Sequence, residues 1–450
     1  MDDPTDAAQR DNTPRPARQP EADGIPSRRL RIFVTVVLAA YAVCLFVAGF
    51  LVVRAIYTPR PIPRADAGPI QQPGGTLRQI AAREVGIDAT WSADGTQVVF
   101  DFYDDRVWRD VMDMLSGRLP MRKYLAVTET DGESRHAYEL ARGISPWRAL
   151  WRPGTSTLAV SVTEWKRDGA EASYDNAIRL FDLPEGRLSG RIYSGDNWLV
   201  SWSPDGRLLL CMGGGSGQDR RYWLLRVADR RTVDIALPEK PAYTRLPCWS
   251  PDSRSLAFGW LPKERAKGDL NPVHGLWIAD ADTGQASLQP VDFYRTFAWL
   301  PDGRMLLARS RRDDPWRPLT NFGFLGPGAD TVEWLPTSVP GICLELEHAN
   351  GRTVVDLSGP SIKERQWVSD LYELTLPDCA VRRLTDLDLC GTWQLSPRGD
   401  RVLIGSIGPR EELSRDDRRA KALPRGIWVL DIDPRGKAPG RDDRSAPEAR

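Results

Sequence analysis

Short apolar runs alternate with polar, turn-forming clusters along most of this chain, and one arrangement of the two keeps returning. Trp202-Ser203-Pro204-Asp205-Gly206 is followed by Leu208-Leu209-Leu210. Trp91-Ser92-Ala93-Asp94-Gly95 precedes Val98-Val99-Phe100, Trp249-Ser250-Pro251-Asp252-Ser253 precedes Leu256-Ala257-Phe258, and Trp299-Leu300-Pro301-Asp302-Gly303 precedes Met305-Leu306-Leu307. Weaker copies start at Trp151-Arg152-Pro153-Gly154 and Leu395-Ser396-Pro397-Arg398-Gly399. Each copy predicts a strand, a tight turn and a second strand. Pro presets φ, Asp bonds its own downstream backbone, and Gly accepts a positive φ.

Downstream of most anchors comes a second strand pair, as in Ile178–Asp182, Tyr222–Leu225, Gly275–Ile278, Leu371–Leu374 and Gly426–Leu430, with turns at Pro184-Glu185-Gly186, Asp282-Thr283-Gly284 and Pro377-Asp378. Four strands per repeat follow. The anchors fall roughly 50 residues apart, apart from one gap about twice as long, which suits propeller blades. The pattern resembles the TolB-like, or WD40-like PD40, β-propeller repeats over roughly residues 77–436. That resemblance implies an all-β propeller of four-stranded blades. Splitting the long gap places a blade near Gly341-Ile342-Cys343-Leu344, with Thr353-Val354-Val355 as its second strand, and makes seven blades; one long insertion leaves six. It also implies that Thr76 to Ile80 closes the ring as an outer strand against the last blade.

One apolar run is far longer than the rest. Ile32 to Val53 holds no charged residue, and at 1.5 Å per residue it spans roughly 30 Å, the thickness of a bilayer's hydrocarbon. We read residues 32–55 as a transmembrane helix contacting the lipid bilayer, with a cleaved signal peptide as the rival. Arg28, Arg29 and Arg31 outnumber Arg54 close to the span, which favours a cytoplasmic N-terminus and a periplasmic or extracellular propeller. Residues 1–31 are polar and read as a disordered cytoplasmic tail, 56–76 as a Pro-rich linker, and 437–450 as a disordered C-terminal tail.

Charge excludes one class of partner. Lys+Arg and Asp+Glu both number 61, so no broad attraction to nucleic acid is expected. Three scattered histidines, His136, His274 and His348, offer no metal-ligand spacing, and Gly213-Gly214-Gly215-Ser216-Gly217-Gln218 meets neither a Walker loop nor a dinucleotide fingerprint. No cofactor and no metal are expected. Unlike prolyl oligopeptidase-type enzymes, which its repeats resemble, the chain is not expected to carry a catalytic domain after the last blade. Cys379 and Cys390 are the only close cysteine pair, and a bridge between them stays open.

The expectation is therefore a non-enzymatic, membrane-anchored propeller that binds a protein or ligand in the cell envelope, an envelope protein being the expected partner. The alternative is a lactonase- or lyase-like propeller enzyme with a metal in its channel. Two groups are candidate partner-binding residues. Trp108, Met112 and Leu115 fall on one face of an amphipathic helix, suited either to a partner or to its own blade. Trp147, Trp198 and Trp393 lie early on anchor strands or in the loops before them, beside Arg148 and Arg245; Trp and Arg at a channel mouth are common binding hot spots, although core packing also explains them.

Overall fold

The computed structural model describes residues 28–57, 65, 67–82, 88–103, 123–131, 134–140, 144–168, 171–214, 221–237, 243–244, 247–261, 274–293, 296–311, 317–361, 366–387, 391–406 and 423–433. Contacts divide the chain after Pro59 into two units. The first contains helix α1 (Arg28–Tyr57). Its segment Ile32–Phe50 has a mean hydropathy of 2.6 and no protein over it. By length and composition this helix can cross a bilayer or serve as a signal sequence.

The second unit is a seven-bladed β-propeller. Among the described residues, seven antiparallel sheets each run outward from an inner strand: Thr90–Trp91, Ile144–Trp151, Trp198–Trp202, Cys248–Trp249, Thr296–Trp299, Ile342–Ala349 and Gly391–Leu395, for blades 1 to 7. In blade 4 the inner edge comes in two pieces, since Tyr243–Thr244 also pairs with Ser255–Leu261.

The blade hidden in the long gap is blade 6. Its inner strand pairs with Arg352–Ser361 in the register Cys343↔Leu357 and His348↔Thr353. Its hairpin does not use the W-S-P-D-G turn. Asn350 and Gly351 have φ of 46° and 76°, the two successive positive values of a two-residue type I′ turn, and Asn-Gly is the favoured pair for it.

Ring closure is also as expected. Gly75–Ala82 pairs with Gly426–Ile432, Leu77 opposite Leu430 and Gln79 opposite Trp428, so the start of the propeller supplies the fourth strand of blade 7. Ile70–Gln72, inside the stretch read as linker, adds a fifth. Joining both ends of the ring in one sheet leaves no seam held by side chains alone.

Seven clusters of buried side chains fill the seven seams. Leu150, Ile178, Trp202, Leu209 and Trp223 fill the one between blades 2 and 3, and Ile80, Trp91, Phe100, Leu403 and Val429 the one between blades 7 and 1. The anchor tryptophans do two jobs there. Their rings supply apolar area, and three of their indole N–H groups reach the preceding blade: Trp202 donates to the Leu150 carbonyl at 3.2 Å, Trp249 to Ser201 Oγ at 3.1 Å and Trp91 to the Gln394 carbonyl at 3.1 Å, while those of Trp151 and Trp299 are buried without an acceptor among the described residues.

The Ser and Asp after each anchor build the turn. Ser203 Oγ donates to Asp205 Oδ1 at 2.6 Å and accepts the Leu208 N–H at 2.9 Å, while Asp205 Oδ1 accepts the Arg207 N–H at 3.0 Å. Gly206 sits at φ 69°, where a Cβ is strained. Ser250 and Asp252 repeat the arrangement with Ser255 and Arg254.

Candidate functional site

The inner strands all begin on one face of the ring and end at the turns on the other. On the face where they begin, the structure joins three of the sequence-predicted residues. The rings of Trp147 in blade 2 and Trp198 in blade 3 lie 5.0 Å apart at 49°. The Arg148 guanidinium sits over the Trp198 ring, 5.3 Å from its centroid, within range of a cation–π attraction.

Consecutive residues of a strand normally point to opposite faces. Trp147 and Arg148 nevertheless both meet Trp198. A register shift between Pro146 and Arg148 explains this, because a bulge re-aims the side chains beside it.

The loop that delivers Trp198 is tied to blade 2. Buried Asn197 accepts the Ser161 hydroxyl at 2.8 Å and donates to the Gly195 carbonyl at 2.8 Å, and the Gly195 N–H reaches the Asn176 carbonyl at 2.9 Å. Trp198 is thus held firmly although its side chain is 36% exposed.

Arg148 is 14% exposed and meets Asp88 of blade 1, with Nη1 3.3 Å from Oδ2. Burial pulls the guanidinium below its ordinary pKa, and the charge and hydrogen bond of Asp88 oppose that pull. Arg148 Nε and Trp147 Nε1 are buried without an acceptor among the described residues. Each unpaired buried donor costs about 1–3 kcal/mol. The indole N–H groups of Trp151, Trp223, Trp299 and Trp393 share that state.

Asp88 escaped the sequence reading, although a signal for it exists. It stands three residues before anchor Trp91, as Arg148 stands three before Trp151. Superposing the repeats therefore puts an acid and a base at equivalent places on adjacent blades. A second omission is the long blade 2 hairpin, Thr157–Asp168 with Glu171–Asp182. It runs past the start of the inner strand, which ends opposite Glu164, and carries Trp165 packed 5.3 Å from Tyr174, itself 61% exposed. Glu164 braces its base by accepting Arg179 Nε at 2.6 Å and Arg191 Nε at 2.9 Å. Desolvation works to raise the Glu164 pKa, but these bonds outweigh it and hold the carboxyl below its ordinary value.

Other candidates separate from this site. Trp393, at 8% exposed, packs in the seam between blades 6 and 7 with Val354, Leu371 and Leu395. Trp108, Met112, Leu115 and Arg245 lie outside the described residues, as do Cys390 and residues 215–218 of the Gly-rich stretch. Cys379 is a buried free thiol. Among the described residues no group of three or more His, Cys, Asp or Glu is placed to hold a metal. On the turn-bearing face a pocket of about 550 Å³ opens between blades 4 and 5, lined by Asp252, Trp299, Asp302, Met305 and Leu325 among others. Its carboxylates are already engaged, Asp252 by Ser250 Oγ at 2.6 Å and Asp302 by Arg304 Nη2 at 2.7 Å.

No family model matches the chain, and no curated protein matches it. Solved structures do. An oligogalacturonate lyase in complex with manganese aligns at TM-score 0.54 and 14% identity, over 83% of this chain and 97% of the other. TolB from Acinetobacter baumannii aligns at TM-score 0.35 and 16% identity, over 66% and 78%. The β-propeller domain of the Trilobed protease from Pyrococcus furiosus aligns at 0.45 and 13%, over 72% and 89%. At these identities the likeness to the lyase speaks for the fold alone.

Proposed function

We propose that this protein is a membrane-anchored β-propeller that acts as a non-enzymatic binding module in the cell envelope, helix α1 holding it to the bilayer with its N-terminus cytoplasmic. One observation carries the binding reading: the cluster of Trp147, Arg148 and Trp198, assembled from two blades and charged against a third, sets a partly exposed indole over a guanidinium. Tryptophan and arginine at the centre of a desolvated patch dominate binding energy at interfaces. The exposed Tyr174 of the blade 2 hairpin, packed against Trp165, widens the same face. Rigid blades then present one fixed surface, and binding pays little for ordering it.

A photo-crosslinking residue placed at the exposed Tyr174 of the blade 2 hairpin, which leaves the cluster intact, tests this in the full-length protein in native membranes. A discrete adduct is expected, lost when Arg148 is changed to Ala, while the same probe at the exposed Leu288 on the outer strand of blade 4 gives none. Equal labelling at both positions refutes a specific mouth site. In the same membranes, resistance to alkaline carbonate extraction at uncleaved length is expected of an anchor, and a shortened, released product of a signal sequence.

A further inference from the structure

The turn-bearing face holds a second site, independent of the mouth cluster. We propose that the pocket between blades 4 and 5 binds a small organic cation with a flat apolar body, its charged group on Asp252 and its body against Trp299. Three observations carry it. The first is an underfilled seam. The five anchor tryptophans occupy equivalent positions, and Trp91, Trp151, Trp202 and Trp249 are buried, whereas Trp299 is partly exposed and forms a wall of the pocket. Around it, Ala257, Leu276, Phe297, Met305, Leu307 and Leu325 make the smallest of the seven sets of buried side chains among the described residues. What this seam lacks in side chains it keeps as space, about 550 Å³. That volume lies within the roughly 300–1,000 Å³ usual for small-molecule sites, which are likewise walled mostly by apolar groups.

The second is a charge left over. Three turns carry Asp followed two residues later by Arg: Asp205 with Arg207, Asp252 with Arg254 and Asp302 with Arg304. Arg207 Nε reaches Asp205 Oδ2 at 2.6 Å, and Arg304 Nε reaches Asp302 Oδ2 at 2.8 Å. Asp252 is engaged through Oδ1 alone, which accepts the Ser250 hydroxyl at 2.6 Å and the Arg254 N–H at 3.0 Å, and its Oδ2 has no hydrogen bond or ion pair among the described residues. Those two bonds hold the Asp252 carboxyl below its ordinary range, so it is ionised at neutral pH. The third is the lining. Among the described residues no lysine or arginine lines the pocket.

These features select the occupant. An anion would meet the Asp252 charge, and a neutral apolar body would strip water from that carboxylate and give nothing in return. A metal ion needs several oxygens, and Asp302 is committed to Arg304. An ammonium group answers Asp252 with a charge-assisted hydrogen bond, and a flat ring packs on the indole.

The test uses the full-length chain in a nonionic detergent at an ionic strength fixed with sodium chloride. It is titrated with phenethylammonium chloride and, in parallel, with phenethyl alcohol and sodium hydrocinnamate, and the melting temperature is read. Phenethylammonium is expected to raise it saturably, phenethyl alcohol to act at least about tenfold more weakly, and hydrocinnamate to give no saturable response. Asp252→Asn, which keeps an oxygen for Ser250 and Arg254, should weaken phenethylammonium about tenfold. Asp205→Asn, the same change in the turn of blade 3, should leave it unaltered. Ala329→Leu enlarges a side chain on the pocket wall and should abolish the response; it decides the matter if Asp252→Asn fails to fold.

Four results overturn the assignment: no saturable response to phenethylammonium, an equal response to phenethyl alcohol, equal losses in Asp252→Asn and Asp205→Asn, or a response unchanged in Ala329→Leu. None of them touches the Tyr174 crosslink, which tests the mouth cluster alone.

Discussion

The seam between blades 2 and 3 and the seam between blades 6 and 7 occupy equivalent places in the ring and are built from different chemistry. The first is mainly apolar: Trp202 reaches the Leu150 carbonyl, Leu150, Ile178, Leu209 and Trp223 surround it, and Arg152 lies over the Trp202 ring and donates to the Gly206 carbonyl at 2.8 Å. The second has Leu395 at the anchor and a set of charged groups around it. Glu347 Oε2 accepts the Leu395 N–H at 2.5 Å across the seam. Arg352 reaches the Gly399 carbonyl at 2.6 Å and Glu373 at 2.9 Å, and Asn350 donates to the Arg398 carbonyl at 2.9 Å. Beneath them Asp370, 4% exposed, accepts the Leu387 N–H at 2.6 Å and the Thr385 hydroxyl at 3.0 Å, with Arg383 paired to it. A propeller needs a filled seam and satisfied backbone groups, and either set of side chains supplies them. The two differ in what disturbs them: the first answers to volume, the second to pH.

Removing volume is the strongest way to break the comparison. Trp202→Ala deletes the largest anchor contact of the regular seam and is expected to cost about 3–5 kcal/mol in urea unfolding. Trp202→Phe, which retains most of the ring area but leaves the Leu150 carbonyl without its donor, should cost about 1–2 kcal/mol. A cost below 1 kcal/mol for the alanine variant would mean that the seam collapses around the gap.

Titration is the next lever. Burial pushes the Glu347 carboxyl up to about 8, against the opposing Leu395 hydrogen bond and aided by Glu345. Burial likewise pushes Asp370 up to about 6, although Arg383 works against it. Both acids hold protons more tightly folded than unfolded. Their contribution is therefore fully present below about pH 4 and is lost as pH rises, through about 6 for Asp370 and about 8 for Glu347. Glu347→Gln keeps an acceptor for the Leu395 N–H without the charge. It should stabilise the protein by on the order of 2–4 kcal/mol at pH 9 and leave it nearly unchanged at pH 4. A wild-type and variant pair with parallel pH profiles would show that Glu347 is not what titrates.

The turns give the smallest effects and sharpen the contrast most finely. Ser203→Ala removes the acceptor of the Leu208 N–H and is expected to cost about 1–2 kcal/mol. Gly351→Ala, at φ 76° with open space around its Cβ position, carries only the backbone penalty of about 1 kcal/mol. Melting temperatures of the two variants read this directly. A larger loss for Gly351→Ala would make the short Asn-Gly turn, and not the Ser-Asp turn, the more demanding element.

The regular seam was legible residue by residue. Anchor spacing placed Trp91, Trp202 and Trp249 in the seams, the S-P-D-G letters carried their turn in their own chemistry, and Asn350-Gly351 left blade 6 visible only as a pair of apolar runs. Trp147, Arg148 and Trp198 could be named as neighbours of a mouth because all precede an anchor by three or four residues. Trp393 stands two residues before Leu395 and lies in the core, clustered with Val354 and Leu371 of blade 6 across a seam that no local pattern reveals.

The one-dimensional chain determined the repeat, its strand pairs, its turns and the long apolar helix, since each depends on residues within a few positions of one another. It could not determine that Glu347 accepts from Leu395, that Asp88 meets Arg148, or that Trp147 and Arg148 share one face of Trp198. Those contacts join segments about 50 residues apart or depend on a one-residue shift in strand register, and only closure of the ring, with the N-terminal strand paired into blade 7, sets them.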